Sequence, residues 1–128
     1  MIKIAVDAMG GDNAPGEIVK GAVDAVTERK DITVCLTGQK DVIEKELSKY
    51  TYKIEQIEIV DAPEVIETGE PPVNAIRKKK NSSLVVGLNL VKNGEADGFV
   101  SAGSSGAVLV GGQVIVCLLY TSDAADEL

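Results

Sequence analysis

The sequence predicts an α/β fold: three layers, α/β/α, around a mostly parallel, Rossmann-like sheet. Three observations carry this. Short apolar runs rich in Val, Ile and Leu alternate with stretches of helical apolar spacing, the pattern of repeated strand-helix units. The runs at residues 2–7 and 32–37 are short and largely apolar, as strands covered on both faces tend to be. Two of the predicted strands pass directly into glycine-rich turns, Gly10-Gly11 and Gly103 to Gly106, each followed by a helical pattern.

The first unit sets the theme. Ile2, Ile4, Ala5 and Val6 end at Asp7, the chain breaks at Gly10-Gly11, and Asp12 or Asn13 can cap a helix with Pro15 and Glu17 in its first turn. Ile18, Ala22, Ala25 and Val26 recur at helical spacing, with Val19 and Val23 beside them, and Arg29-Lys30 suits the negative end of that helix. A second strand over 32–37 ends at Gly38, and a second helix over 41–47 turns Val42, Ile43 and Leu47 inward. Ile54, Ile57 and Ile59 alternate with Glu55 and Glu58 as a third, half-exposed strand. Pro63, Gly69, Pro71 and Pro72 then forbid regular structure over 61–72, leaving a surface loop. A short helix over 73–80 closes on Arg77, Lys78, Lys79 and Lys80. Ser82 or Ser83 can cap the next helix, with Gly94 at its end. A fourth strand over 98–101 leads through the second glycine turn into an apolar helix over 107–116.

The 128 residues amount to one domain or part of a larger one. Hydrophobic residues at 45% and charged residues at 26% suit a globular chain with a core, here aliphatic because Trp is absent and Phe occurs once. Acidic residues outnumber basic ones 20 to 13, a net charge of −7, which speaks against general nucleic-acid binding. Two distant cysteines suggest no disulfide framework and fit a cytoplasmic setting. No signal peptide and no bilayer-length apolar run is evident. With no histidine, a Ser-His-Asp triad, a Cys-His pair and histidine-ligated zinc are excluded, and no P-loop pattern occurs. We expect neither a metal nor a cofactor.

Candidate residues follow from chemistry. Ser101, Ala102, Gly103, Ser104, Ser105 and Gly106 form a small-residue turn before a helix, where backbone N–H groups and the dipole favour an anion; a ligand-free turn explains the same residues equally well. Gly10, Gly11 and Asp12 form a similar turn, for which a turn plus cap is sufficient. Asp7 ends an apolar run, so its carboxylate needs a partner or a function. The 77–80 run is either a solvated helix end or a contact for an anion or acidic partner. Cys35, mid-strand, reads as a small buried hydrophobe.

Residues 4–15, Ile4-Ala5-Val6-Asp7-Ala8-Met9-Gly10-Gly11-Asp12-Asn13-Ala14-Pro15, resemble the opening signature of the bacterial phosphate acyltransferases, the PlsX family. Ala75-Ile76-Arg77-Lys78-Lys79-Lys80-Asn81-Ser82-Ser83 resembles that family's basic, serine-ended segment, and Val100-Ser101-Ala102-Gly103-Ser104-Ser105-Gly106-Ala107 its Ser-Ala-Gly loop. Glu64-Val65-Ile66-Glu67 before Glu70-Pro71 also fits. Asn13 stands where many members have His, and Ser104-Ser105 replaces a commoner Asn-Thr. The resemblance ends near Val116 and covers the opening part of a longer family chain. Residues 117–128 resemble instead the translation of a transposon-end sequencing adapter and are read as a non-native tail, the alternative being a native terminal helix.

The resemblance implies an incomplete sheet of the isopropylmalate dehydrogenase or phosphotransacetylase type. It implies transfer of a fatty acyl group from acyl carrier protein to inorganic phosphate, giving acyl phosphate for phospholipid synthesis, with this segment inactive alone. It also implies a homodimer with peripheral membrane association. Arg77, Lys80 and Ser101 are the expected catalytic set. Asp7, Gly10, Gly11, Asp12, Asn81, Ser82 and the residues from Ala102 to Gly106 are the expected substrate contacts. Phosphate is assigned to the 101–106 turn because Asp12 and Glu17 after the first turn would repel it. Two alternatives stand beside this: a non-catalytic Rossmann-type nucleotide- or phosphate-binding module, and an inactive gene fragment.

Overall fold

In the computed structural model the described residues are 1–117; of the expected tail over 117–128, all but Cys117 lies outside them. The elements are β1 (Ile2–Asp7), α1 (Gly16–Glu28), β2 (Ile32–Gly38), α2 (Lys40–Leu47), β3 (Ile57–Asp61), α3 (Pro72–Lys78), α4 (Ser83–Lys92), β4 (Gly98–Val100) and α5 (Ser105–Gly111). A 3₁₀ turn (Ile54–Gln56) precedes β3, and a π-helical stretch (Gly112–Cys117) continues α5.

The sheet is four-stranded and wholly parallel, in the order β3-β2-β1-β4. All four expected strands are present. The order follows from short crossovers: β1 feeds α1 and returns beside itself as β2, β2 feeds α2 and returns as β3. The chain then crosses back through α3 and α4 to place β4 on the other flank of β1.

Helices cover both faces. On one, Val19, Val23 and Val26 of α1 and Ile43 and Leu47 of α2 pack with Val34 and Leu36 of β2. On the other, Leu84, Val85 and Leu88 of α4 join Ala75 and Ile76 of α3 and Ala107 of α5, with Phe99 packed against them. Beside α1 the first face stays open toward β4, as an apolar groove of about 420 Å³ between Ile18 and Ala25 on the helix and Ile4, Val6 and Val100 on the sheet. Ile18 and Ala25 accordingly border this groove, and the fully buried stripe of α1 is Val19, Ala22, Val23 and Val26.

Three local expectations need correction. Ile54 does not begin a strand: it is 79% exposed, and Gln56 is buried in its place. The amide of Gln56 donates to the carbonyls of Arg29 and Ile32, both at 2.9 Å, so the 3₁₀ turn fastens the entry to β2. Neither Asp12 nor Asn13 caps α1 through its side chain; Pro15 occupies the cap position without a side-chain bond. The 61–72 loop is less free than its prolines suggest. Ala62 and Ile66 are buried, Glu64 bridges to Ser82, and Asn81 and Glu64 exchange backbone and side-chain bonds.

Candidate functional site

Parallel pairing builds the site. Val6 lies opposite Val100, so Asp7 and Ser101, each one residue further, emerge side by side at the carboxyl end of neighbouring strands. Asp7 is 2% exposed. One carboxylate oxygen accepts the backbone N–H of Met9 at 3.1 Å, and the other accepts the Ser101 hydroxyl at 2.9 Å. The Ser101 oxygen in turn accepts the N–H of Gly103 at 3.1 Å. Asp7 thus joins the two glycine turns, and its buried charge is satisfied by the loops it organises.

The glycines are required by this contact. A Cβ on Gly10 would sit 2.7 Å from the Asp7 carboxylate and 2.9 Å from the Gly103 nitrogen. Gly11 has φ +97°, and a Cβ there would be 3.0 Å from the Ala102 carbonyl oxygen. A Cβ on Gly103 would lie 3.2 Å from the Gly10 Cα. Only residues without side chains bring the two backbones this close.

Beyond Gly103, Ser104 caps α5 by accepting the Ala107 N–H at 3.2 Å. Ser105 is exposed, and Gly106 abuts Pro72 at the start of α3. Asp12 projects from the first turn as an exposed side chain. Ser82 is fully buried as the cap of α4, accepting the Val85 N–H. It reaches the same sheet edge because Thr37, at the end of β2 and opposite Asp7, donates to the Ser83 carbonyl at 2.7 Å. Exposed Asn81 precedes it.

The basic run divides. Lys79 is held by the Val65 carbonyl and the Glu70 carboxylate, both at 2.7 Å. That contact, together with the Glu67 N–H, holds the Glu70 carboxyl below its usual range. Arg77 and Lys80 instead line a separate cleft with Val114 and Ile115 of the π-helical stretch, and Ser101 is not among its walls. The same cleft is lined by Asn89 and Lys92, which sequence reading passed over; their signal was the spacing of Val85, Asn89 and Lys92 along one face of α4. Cys35 is buried and donates to Glu58 at 3.3 Å; burial, then that carboxylate, pushes its thiol up to about 11. Among the described residues no three His, Cys, Asp or Glu side chains converge as a metal site.

The junction of the 10–11 and 101–106 turns lies at a topological switch point. From β1 the chain leaves toward β2 over one face; from β4 it leaves over the other. Ligands of doubly wound α/β proteins bind at such points, so fold and site define the class as a doubly wound α/β protein whose two glycine turns meet at the carboxyl edge of the sheet. The chain belongs to the family described as "Fatty acid synthesis protein", whose model matches residues 2–123. That match runs past Val116, where the sequence reading ends the resemblance. Among curated relatives, "Phosphate acyltransferase" from Clostridium botulinum (strain Alaska E43 / Type E3) is 54% identical over 115 residues, covering 90% of this chain and 34% of the relative. Proteins of the same name from Clostridium kluyveri (strain NBRC 12016) and Clostridioides difficile (strain 630) are 55% and 51% identical, covering 88% and 90% of this chain and 34% of each relative. The chain therefore spans about a third of the length of the curated relatives it matches.

Proposed function

We propose that this segment supplies the phosphate-holding loop of an acyltransferase that moves a fatty acyl group from acyl carrier protein to inorganic phosphate, making acyl phosphate for phospholipid synthesis. The observation that carries the reading is the Asp7–Ser101–Gly103 junction at the switch point, in a chain whose relatives are named phosphate acyltransferase.

The chemistry asks for positioning more than for proton transfer. Inorganic phosphate is already anionic at neutral pH. One of its oxygens attacks the thioester carbonyl carbon, the C–S bond breaks, and sulfur leaves with the electron pair as a thiolate. Fixed N–H donors suit such a reaction, because they hold the nucleophile without reorganising. The first turn of α5 leaves the N–H groups of Ser105 and Gly106 outside the helical bonding pattern, at the positive end of its dipole. Both oxygens of Asp7 point into the loops, accepting from Met9 and Ser101, and not toward the first turn of α5. Ser101 donates its hydroxyl to Asp7 and accepts from Gly103, so it acts as a positioning residue that sets the loop for phosphate.

The test is a chimera in which the matched segment of the Clostridium botulinum relative is replaced by this one. It is expected to form acyl phosphate from acyl carrier protein thioester in proportion to phosphate, trapped as hydroxamate. Ser101→Ala is expected to raise the phosphate KM about tenfold, the loss of one charged hydrogen bond, with the thioester KM unchanged. A folded chimera that releases acyl groups without phosphate dependence would contradict the reading.

A further inference from the structure

Three cations surround one cleft apart from the junction of the two glycine turns. Arg77 comes from the end of α3, Lys80 follows it, and Lys92 ends α4. Ile76, Val85 and Ile115 give the cleft, of about 340 Å³, an apolar floor, and no acidic residue among the described ones lines it. Lys79, in the same basic run, is tied to Glu70 and Val65, whereas among the described residues Arg77, Lys80 and Lys92 make no ion pair. The cleft meets Val114 and Ile115, well along the helical run that starts at Ser105, roughly 12 Å from its first turn at the helical rise.

We infer that this cleft docks the acidic protein partner of the reaction, which presents carboxylates to Arg77, Lys80 and Lys92 and apolar side chains to the floor. The inference rests on the proposed function, which makes that partner the acyl carrier protein. Two observations favour a protein over a small anion. The floor is apolar and the space far exceeds one phosphate, whereas a phosphate site needs several donors converging on one point. A chain of net charge −7 repels acidic partners in general, so productive encounter needs a local positive island, and the cleft is one.

The experiment measures binding of fluorescently labelled holo-acyl carrier protein to this chain by anisotropy, at low and high salt. Arg77→Glu, Lys80→Glu and Lys92→Glu are combined. A control combines Lys20→Glu, Lys30→Glu and Lys53→Glu, which makes the same change in net charge at exposed sites outside the cleft. Melting by circular dichroism checks that both remain folded. At threefold or so per reversed surface charge, the cleft variant is expected to bind about 30-fold more weakly at low salt, the control within about threefold, and Lys92→Arg as the parent. Equal losses in both triple variants, unchanged affinity, or no binding by the parent chain would overturn the inference. A weakened response to inorganic phosphate with carrier binding intact would make the cleft a small-anion site instead, and overturn it too. Failure of the chimera to make acyl phosphate speaks against the proposed function; a cleft variant that still binds the carrier speaks only against this surface.

Discussion

Replacing Gly10 by alanine tests the contact between the two glycine turns. The added Cβ would sit 2.7 Å from an Asp7 carboxylate oxygen and 2.9 Å from the Gly103 nitrogen, against about 3.5 Å for an unstrained contact. Neither neighbour can yield alone: the carboxylate is held by the Met9 N–H and the Ser101 hydroxyl, and the Gly103 N–H by the Ser101 oxygen. Relief requires breaking the Asp7–Ser101 bond, at about 1.5–3 kcal/mol for a charged hydrogen bond, or displacing a loop, at about 1–3 kcal/mol for overpacking. Reduced freedom of the unfolded chain returns about 0.4–1 kcal/mol. The expected net loss is about 1–2 kcal/mol, read as a lower urea midpoint with unchanged slope. Gly21→Ala is the matched control. Gly21 lies inside α1 with nothing within 4 Å of an added Cβ, so alanine there should stabilise by about 0.5–1 kcal/mol. A loss under about 0.5 kcal/mol at Gly10, or an equal loss at Gly21, would refute the packing argument.

Gln56→Leu removes a buried amide that holds two carbonyls, and is expected to cost about 1–3 kcal/mol in the same denaturation assay. The effect of Lys79→Ala should shrink in acid: Glu70, with its folded pKa depressed mainly by Lys79, contributes stability that is present above its unfolded value and lost as pH falls through its lower folded value, so the gap between the two melting curves should narrow there to what the Lys79 bond to the Val65 carbonyl contributes. Cys35, raised to about 11 by burial and Glu58, favours the thiol in the folded state, a contribution complete below the unfolded value and lost as pH rises toward 11. Its alkylation at pH 8.5, mapped by peptide mass, should be about 100-fold slower folded than unfolded, because the reactive thiolate is that much scarcer when burial holds the proton on sulfur.

Much of the fold was legible because parallel strands and amphipathic helices differ in period: residues 2–7 and 32–37 could hardly be read otherwise. Ile54 misled because an isoleucine at strand spacing outweighs a glutamine by hydrophobicity alone, and the two carbonyls that reward burying Gln56 come from a distant part of the chain. The site was legible as two separate turns. That they touch depends on strand order, since only a β4 paired with β1 sets Ser101 beside Asp7, and local sequence does not encode order. The basic run likewise looked uniform, and only the fold of the 61–72 loop separates Lys79 from Arg77 and Lys80.

The most direct measurement of the central claim is a titration of the ¹⁵N-labelled chain with inorganic phosphate, following backbone amides. The largest shifts are expected at Gly103, Ser104, Ser105 and Gly106, with smaller ones at Gly10 and Gly11 in the adjoining turn, and Ser101→Ala should abolish them. Shifts confined to Arg77, Lys80 and Lys92, or saturating shifts at Gly11 and Asp12 that survive Ser101→Ala, would contradict the assignment of phosphate to the 101–106 turn.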